Sequence, residues 1–547
     1  MPRIFTTAIP DSECMGDSLV TINTNYDNLD NAVQALSSQT ISITDTSTID
    51  LTYNSNTRNL TASVKLSSIT PEYLSNTFTL SASQITNKPE AFKRFRENLG
   101  DKCHSTHYRS SFYLSNDNTL YAAGYSGGTH SRFGMGENST QTLYSGWNAL
   151  SIPLLLGEKV EKFWTAGQSN PSLYILTNVG NLYATGYNGY GQLGLGDVNT
   201  RRTWVKISLS NVVYFDACTA ADDIVHCFAI NSSGELYAWG YNGYGGLGLG
   251  NTTQQNSPQR VNVGAIAGKT IKKAFAFGDT NFSYAIDSAD LVYSCGYNGQ
   301  GQLGQNNTTN TNTFQPILNQ ATLPADYIIG NGGSGVGLGA TGSAFLIRNN
   351  EIWSTGYNGY GQLGLGNTTQ RTSFAKITGI SAKQVTLFRN AAANVAVLQL
   401  DGTLRVWGRN EDGCLGVGDS TQRNSPTTPT GNPTNVIKIQ GHGYNAPFLC
   451  YLNSAGDLYT TGYNGYGHLG LGDSVARNTF QKVIKNGNAK FVDFDLFGSN
   501  TGYALVAVDE EGNLWSCGYN GQSMVAIADT PNNYVEVLRK TVLASHP

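Results

Sequence analysis

Short runs of alternating apolar and polar residues, closed by glycine, asparagine, serine or aspartate, fill the chain beyond Cys103. Val212-Val-Tyr-Phe-Asp-Ala217, Val225-His-Cys-Phe-Ala-Ile230 and Leu236-Tyr-Ala-Trp239 are three of them, with a turn at Asn231-Ser-Ser-Gly-Glu235. Period-two runs rich in β-branched and aromatic residues, set between turn formers, predict strands. With Val205-Lys-Ile207 read as the first strand, each unit holds four, and the fourth ends at a glycine. The closing glycines are Gly124, Gly186, Gly240, Gly296, Gly356, Gly408, Gly462 and Gly518, standing 52 to 62 residues apart. Helical solenoid repeats run to about 33–47 residues and four-stranded propeller blades to about 40–50. The period is therefore slightly long for a blade and too long for most solenoids. Radial repetition of four-stranded sheets is a β-propeller. The predicted fold is mainly β: a propeller of seven or eight four-stranded blades, eight by literal motif count, preceded by a short coiled-coil-like helix and a β-hairpin module.

Most copies continue past the glycine, as in Leu182-Tyr-Ala-Thr-Gly-Tyr-Asn-Gly-Tyr-Gly-Gln-Leu-Gly-Leu-Gly196. So many glycines would weaken a strand interior; they suit a chain that turns tightly beside a neighbour. Leu193 and Leu195 are expected to plug apolar gaps between blades. Trp239-Gly-Tyr-Asn-Gly-Tyr-Gly-Gly-Leu-Gly248 and Thr355-Gly-Tyr-Asn-Gly-Tyr-Gly-Gln-Leu-Gly364 resemble the signature of the regulator of chromosome condensation repeat family. The resemblance covers about Cys103 to Val542 and implies a propeller, usually of seven blades. The last copy, Gly518-Tyr-Asn-Gly-Gln-Ser523, lacks the Leu-Gly tail. The following Tyr534-Val-Glu-Val537 is expected to act as a first strand, completing a blade begun near Cys103 and removing exposed sheet edges.

The first hundred residues follow another pattern. Leu19, Ile22, Tyr26, Leu29, Val33 and Leu36 make a heptad seam on a predicted helix from about Asp17 to Ser38. Asn23, Asn25, Asn28 and Asn31 weaken that helix alone, so the seam is expected to associate, as a homo-oligomer (a trimer favoured) or on another protein. The alternative is one amphipathic helix lying on its own domain. Ser47-Thr-Ile-Asp-Leu-Thr-Tyr53 and Asn59-Leu-Thr-Ala-Ser-Val-Lys-Leu66 alternate about a polar turn and predict a hairpin. Pro89 to Leu99, with Gly100 after it, reads as a connector helix. The expected domains are an attachment helix at 1–40, a hairpin module at 41–86, a connector at 87–102 and the propeller at 103–547. The segment from Gly16 to Ile69 also resembles amino-terminal segments of tailed-bacteriophage structural proteins, tail fibres among them. That resemblance implies attachment to a virion through this end, with the propeller turned outward.

Of the 547 residues 13% are charged, against a usual ~25%. The net charge of −4 argues against a nucleic-acid partner, which a basic stripe would announce. No signal peptide is predicted, and no run of ~18 apolar residues, so no membrane insertion is expected. The eight cysteines contain no Cys-x-x-Cys and read as free, buried thiols. Cys103-His-Ser-Thr-His107 is too small a set for a metal, and no metal or cofactor is expected.

No catalytic constellation is present, so the expectation is no enzyme. Asp222-Asp223, Glu411-Asp412 and Asp509-Glu510-Glu511 fall on predicted turns, where solvated charge is the plain reading; a depolymerase pair would need the right separation. Binding is the better expectation. Tyr187, Tyr241, Tyr297, Tyr357, Tyr463 and Tyr519 share one motif position, and Tyr190, Tyr244, Tyr360 and Tyr466 another. Equivalent positions in a propeller form rings. Tyr187, Asn188, Tyr241, Asn242, Tyr357, Asn358, Tyr463 and Asn464 are the candidate binding residues, able to stack on and hydrogen-bond a glycan; the alternative packs most of these tyrosines between blades. The segments Asn331–Gly339, Thr427–Pro433 and Gly128–Arg132 are further loop candidates. The functional expectation is a virion appendage protein of tail-fibre type. It would bind other virion proteins at its N-terminus and a host-surface glycan or protein through its propeller. The alternatives are a structural capsid or tail decoration protein, a glycan depolymerase, or a guanine-nucleotide exchange factor like the family's namesake.

Overall fold

The computed structural model describes residues 47–54, 59–66, 78–80, 110–114, 118–125, 133–134, 143–167, 170–218, 224–278, 281–318, 325–335, 339–388, 394–443, 446–485, 487–499, 502–520 and 534–540. The chain divides into two compact units, Met1–Lys93 and Arg94–Pro547. In the first, Ser47–Asn54 pairs antiparallel with Asn59–Leu66, as the alternation predicts, and Phe78–Leu80 adds a third strand. The heptad seam and the connector helix lie outside the described residues, as do Cys103–His107 and Gly128–Arg132.

The second unit holds eight antiparallel sheets, seven of four strands and a first of three among the described residues. The first blade is Ser110–Leu114, Leu120–Tyr125 and Leu143–Ala149. The second is Val160–Ala166, Ser172–Thr177, Leu182–Gly186 and Arg201–Lys206. The third is Val212–Ala217, His226–Asn231, Leu236–Gly240 and Gln255–Arg260. The remaining blades repeat that order: four start at Ile271, Tyr327, Ala382 and Val436, and the last at Phe491. From the second blade to the eighth, successive first strands pack side by side.

The phase of the repeat differs from the sequence expectation. Arg201–Lys206, which contains most of the run read as a first strand, pairs with Leu182–Gly186 and closes the preceding blade. Tyr534–Lys540 likewise pairs with Leu514–Tyr519 and is the fourth strand of the last blade, not the first strand of a blade near Cys103. The physical reason is the motif itself. Gly186 has a φ of +103°, and a Cβ there would meet the Pro171 carbonyl at 2.1 Å. Such a glycine resembles a terminus, yet the chain turns there and comes back to the same sheet.

Hydrophobic layers between blades supply the core. Trp164 meets Phe215 edge-on at 5.0 Å, and Phe215 lies 5.8 Å from Trp239, joining the second and third blades. Polar side chains fasten neighbouring first strands. Tyr214 donates its hydroxyl to the Ala274 carbonyl (2.7 Å), and Asp216 accepts the Ala276 N–H (2.8 Å). Gln384 both donates to the Ile439 carbonyl and accepts from its N–H. Lys438 pairs with the buried Asp493 of the eighth blade.

Candidate functional site

From the second blade to the seventh the motif loop joins the third and fourth strands, and its asparagine builds it. Asn358 donates through Nδ2 to the carbonyls of Asn367 and Thr369, both at 3.0 Å, and accepts the Leu363 N–H at 2.9 Å. Asn188, Asn242 and Asn464 make the same bonds, to Asp197 and Leu193, to Asn251 and Leu247, and to Asp473 and Leu469. Each of the four is at most 1% exposed. The asparagine half of the candidate set is thus enclosed, its hydrogen-bonding groups consumed by its own loop. The sequence carried a signal for this: an Asp or Asn always stands nine residues later, and a leucine five later.

The tyrosine half remains at the surface. The ring of Tyr187 folds over Gly189, where a Cβ would lie 2.1 Å from the phenol oxygen, and Tyr241, Tyr357 and Tyr463 repeat this over Gly243, Gly359 and Gly465. All four rings are half-buried. The second motif tyrosine then reaches the next blade. Tyr190 meets Tyr241 edge-on at 5.6 Å, Tyr244 meets Tyr297 at 5.3 Å, and Tyr466 meets Tyr519 at 5.8 Å. Between the fifth and sixth blades Arg409 stands in for the partner ring, its guanidinium 4.9 Å from the Tyr360 centroid. The result is a belt of tyrosines running from blade to blade along the face that carries the motif loops. Burial first, and then the neighbouring tyrosines, push the Tyr241 hydroxyl above its ordinary range; burial and then Tyr360 do so for Tyr357.

From the third blade to the eighth, the residue before the motif glycine fastens that blade to the preceding one. Trp239 donates Nε1–H to the Gln192 carbonyl (2.8 Å), Trp407 to that of Gln362 (2.7 Å), and Thr461 its hydroxyl to that of Gly413 (3.2 Å). Cys295 and Cys517 hold equivalent places against the Gly246 and His468 carbonyls. Tryptophan, threonine and cysteine share this slot because each has a donor. The six described cysteines are free and buried.

In the seventh blade His468 stands where Gln192, Gln302 and Gln362 stand elsewhere. It is 0% exposed, without a hydrogen bond at either ring nitrogen, and packed 4.4 Å from Phe448 and 5.5 Å from Tyr503. Burial above all holds its pKa down to about 3.

The loop candidates divide. Asn331–Gly335 and Gly339 extend the first hairpin of the fifth blade, whose strands run nine and ten residues. Thr427–Pro433 lies in the link between the sixth and seventh blades. The acidic turns are structural: Asp509 accepts the Glu511 and Asn513 N–H groups and the Trp515 Nε1–H, and Glu411 pairs with Arg409. Asp222 and Asp223 lie outside the described residues. Among those residues no group of three or more His, Cys, Asp or Glu is placed to hold a metal. None of their helices is long and apolar enough to cross a membrane.

The model of the regulator of chromosome condensation (RCC1) repeat matches residues 233–279. The ultraviolet-B receptor UVR8 of Arabidopsis thaliana is 28% identical over 335 residues, 61% of this chain and 72% of the receptor. The E3 ubiquitin-protein ligase HERC2 of Mus musculus is 27% identical over 306 residues, 56% of this chain but 6% of the ligase. Among solved structures, human WBSCR16 is 19% identical with a TM-score of 0.46, covering 62% of this chain and 83% of that one. Yeast RCC1 (Prp20), bound to Kap60, is 18% identical with a TM-score of 0.45, covering 66% and 83%.

These relatives overturn the virion reading. The matches run over 335 residues to a plant receptor and 306 residues to a mammalian ligase, and neither is a virion component. The expectations of a phage tail fibre or appendage, a capsid or tail decoration, virion partners, host-surface attachment and a virion location therefore fall. The phage likeness rested on short Thr-, Ser- and Asn-rich stretches of the first hundred residues, whereas the relatives match over hundreds of residues. The fold is a β-propeller, and its repeats are similar to the regulator of chromosome condensation (RCC1) repeat.

Proposed function

We propose that this chain is a protein-recognition propeller, whose tyrosine belt on the motif-loop face docks a partner protein. The belt carries the reading: half-buried and exposed tyrosine rings bridge from blade to blade on one face. Tyrosine offers a large, stiff contact area and a polar tip, which is why it is enriched at interfaces. A glycan would need a planar set of polar donors and acceptors beside the rings. The asparagines that would supply it are enclosed, so the surface favours a polypeptide. The relatives support a scaffold role, since the same repeats occur in a receptor and in ligases, and what they share is the propeller.

The test is affinity capture from eukaryotic cell extract with the intact chain beside a Tyr190→Ala, Tyr244→Ala, Tyr466→Ala variant. The partner is identified by mass spectrometry, and its purified form titrated against both proteins. Loss of affinity of at least tenfold in the variant, with unchanged thermal unfolding, is expected. Equal affinity for both proteins would remove the belt from recognition.

A further inference from the structure

The belt is interrupted at two blade boundaries, and the two interruptions differ in charge. In the fourth blade Gln300 stands at the second tyrosine position, opposite Tyr357; in the sixth Asp412 stands there, opposite Tyr463. Tyr241, Tyr297 and Tyr519 are each covered by a tyrosine of the preceding blade. Among the described residues Tyr463 has ring contacts only within its own blade, to Tyr466 and His468. No ring of the sixth blade covers it among the described residues, and the residue at the equivalent position there is a short carboxylate.

That carboxylate differs from the paired carboxylates of the motif loops. Asp197, Asp419 and Asp473 are neutralised by Arg201, Arg423 and Arg477 at 2.6, 2.8 and 2.6 Å, and Glu411 by Arg409. Asp412 is exposed and has no hydrogen-bond or ion-pair partner among the described residues. It also sits in the left-handed region, at φ +54° and ψ +17°, which a side chain of its kind adopts at some strain. The protein packed beneath it pushes its carboxyl above the ordinary carboxylate range. An unpaired carboxylate beside an open tyrosine face offers a cation two attractions, an ion pair and the ring's negative face.

Resting on the belt as the recognition surface, we propose that the notch between Asp412 and Tyr463 receives a lysine or arginine side chain of an extended partner segment. The neutral notch at Gln300 and Tyr357 takes an uncharged one and supplies an internal control.

The probe is a positional octapeptide library whose central residue is fixed as Lys, Arg, norleucine or Glu, titrated by fluorescence anisotropy at low salt. The Lys and Arg pools are expected to bind about five- to tenfold tighter than the norleucine pool, with the Glu pool weakest. Asp412→Asn keeps a residue that tolerates the left-handed backbone and is expected to erase that preference, whereas Gln300→Asn leaves it intact. A lysine and arginine preference that survives Asp412→Asn, or no preference at all in the unaltered chain, overturns the proposal. Tyr466→Ala separates the two levels: it is expected to weaken every pool alike. No binding by any pool, or indifference to Tyr466→Ala, overturns the belt itself.

Discussion

Replacing Asn358 by alanine tests whether the motif asparagine is a structural staple. The side chain is 0% exposed and makes four hydrogen bonds within one loop, to three residues. Two of its partners, the carbonyls of Asn367 and Thr369, belong to exposed residues, and water can replace the lost donor there. The third partner is the N–H of Leu363, also 0% exposed, and it would be left dry. A buried donor without a partner costs about 1–3 kcal/mol, and the void left by the amide adds a cavity cost of about 1 kcal/mol. The sum is about 3 kcal/mol, against within about 0.5 kcal/mol for an ordinary surface change. An eight-bladed chain need not unfold in one step, so local opening is the better readout. Hydrogen exchange followed by mass spectrometry should show peptides spanning 357–370 exchanging about a hundredfold faster, since 1.4 kcal/mol is a factor of ten. Tyr360→Ala in the same loop should change them little. If Asn358→Ala exchanges no faster than Tyr360→Ala, the asparagine is not holding the loop, and it returns to the list of possible binding groups.

The buried thiols and the buried histidine give two more expectations. Burial pushes Cys227, Cys295, Cys414 and Cys450 well above the ordinary thiol range. In the folded chain they should resist iodoacetamide at pH 8 for as long as the blades stay packed, and react at once in denaturant; rapid native labelling of Cys295 by peptide mapping would show that its blade boundary is open. The His468 pKa is held down to about 3, against about 6.5 unfolded. Its neutral, buried form therefore contributes stability that is fully present above pH ~6.5 and lost as the pH falls toward about 3, by about 5 kcal/mol at most. His468→Gln, which restores the residue of three other blades, should flatten that part of the pH–stability curve in thermal unfolding, and an unchanged acid limb would place the titration elsewhere.

Much of this architecture is written in the chain's internal repetition. The motif glycine at a near-constant interval gives a literal count of eight sheets while leaving seven open, and the Val212–Ala217, His226–Asn231 and Leu236–Gly240 strands follow from their strand-like runs. The phase of the repeat was not legible. A glycine-rich stretch such as Gly186 to Gly196 has no periodicity, so it reads as the gap between blades. It is in fact a compact turn stitched by Asn188, whose bonds reach five and nine residues ahead. The role of the asparagine was hidden for the same reason. Asparagine is common both in solvated loops and as a loop staple, and residue type does not separate the two. Only the fixed offset to Leu193 and Asp197, recurring at Leu247 and Asn251 and again at Leu363 and Asn367, points to enclosure.

That distinction bears on where recognition information resides in a repeat protein. A residue repeated in phase, such as Asn188 or Leu193, answers a demand that every blade makes, so its repetition is explained by folding. A surface residue repeated in phase, such as Tyr190 or Tyr244, gives the same contact at each boundary and so adds affinity without direction. Direction requires positions where the repeat is broken at the surface and the break is not needed for packing. Arg409, Asp412 and Gln300 are such breaks on the belt, and they are adjacent along it: a neutral notch, an arginine lying on Tyr360, and an unpaired carboxylate. His468 is a break of the other kind, enclosed among aromatic rings, and its effect is expected on stability. A partner lying along this arc would meet a sequence of chemically distinct stations in a fixed order, which an unbroken tyrosine ring would not provide. The polarity of the bound segment should therefore be set between the fourth and seventh blades, and substitutions there should change which partner is chosen more than how tightly the belt as a whole holds it.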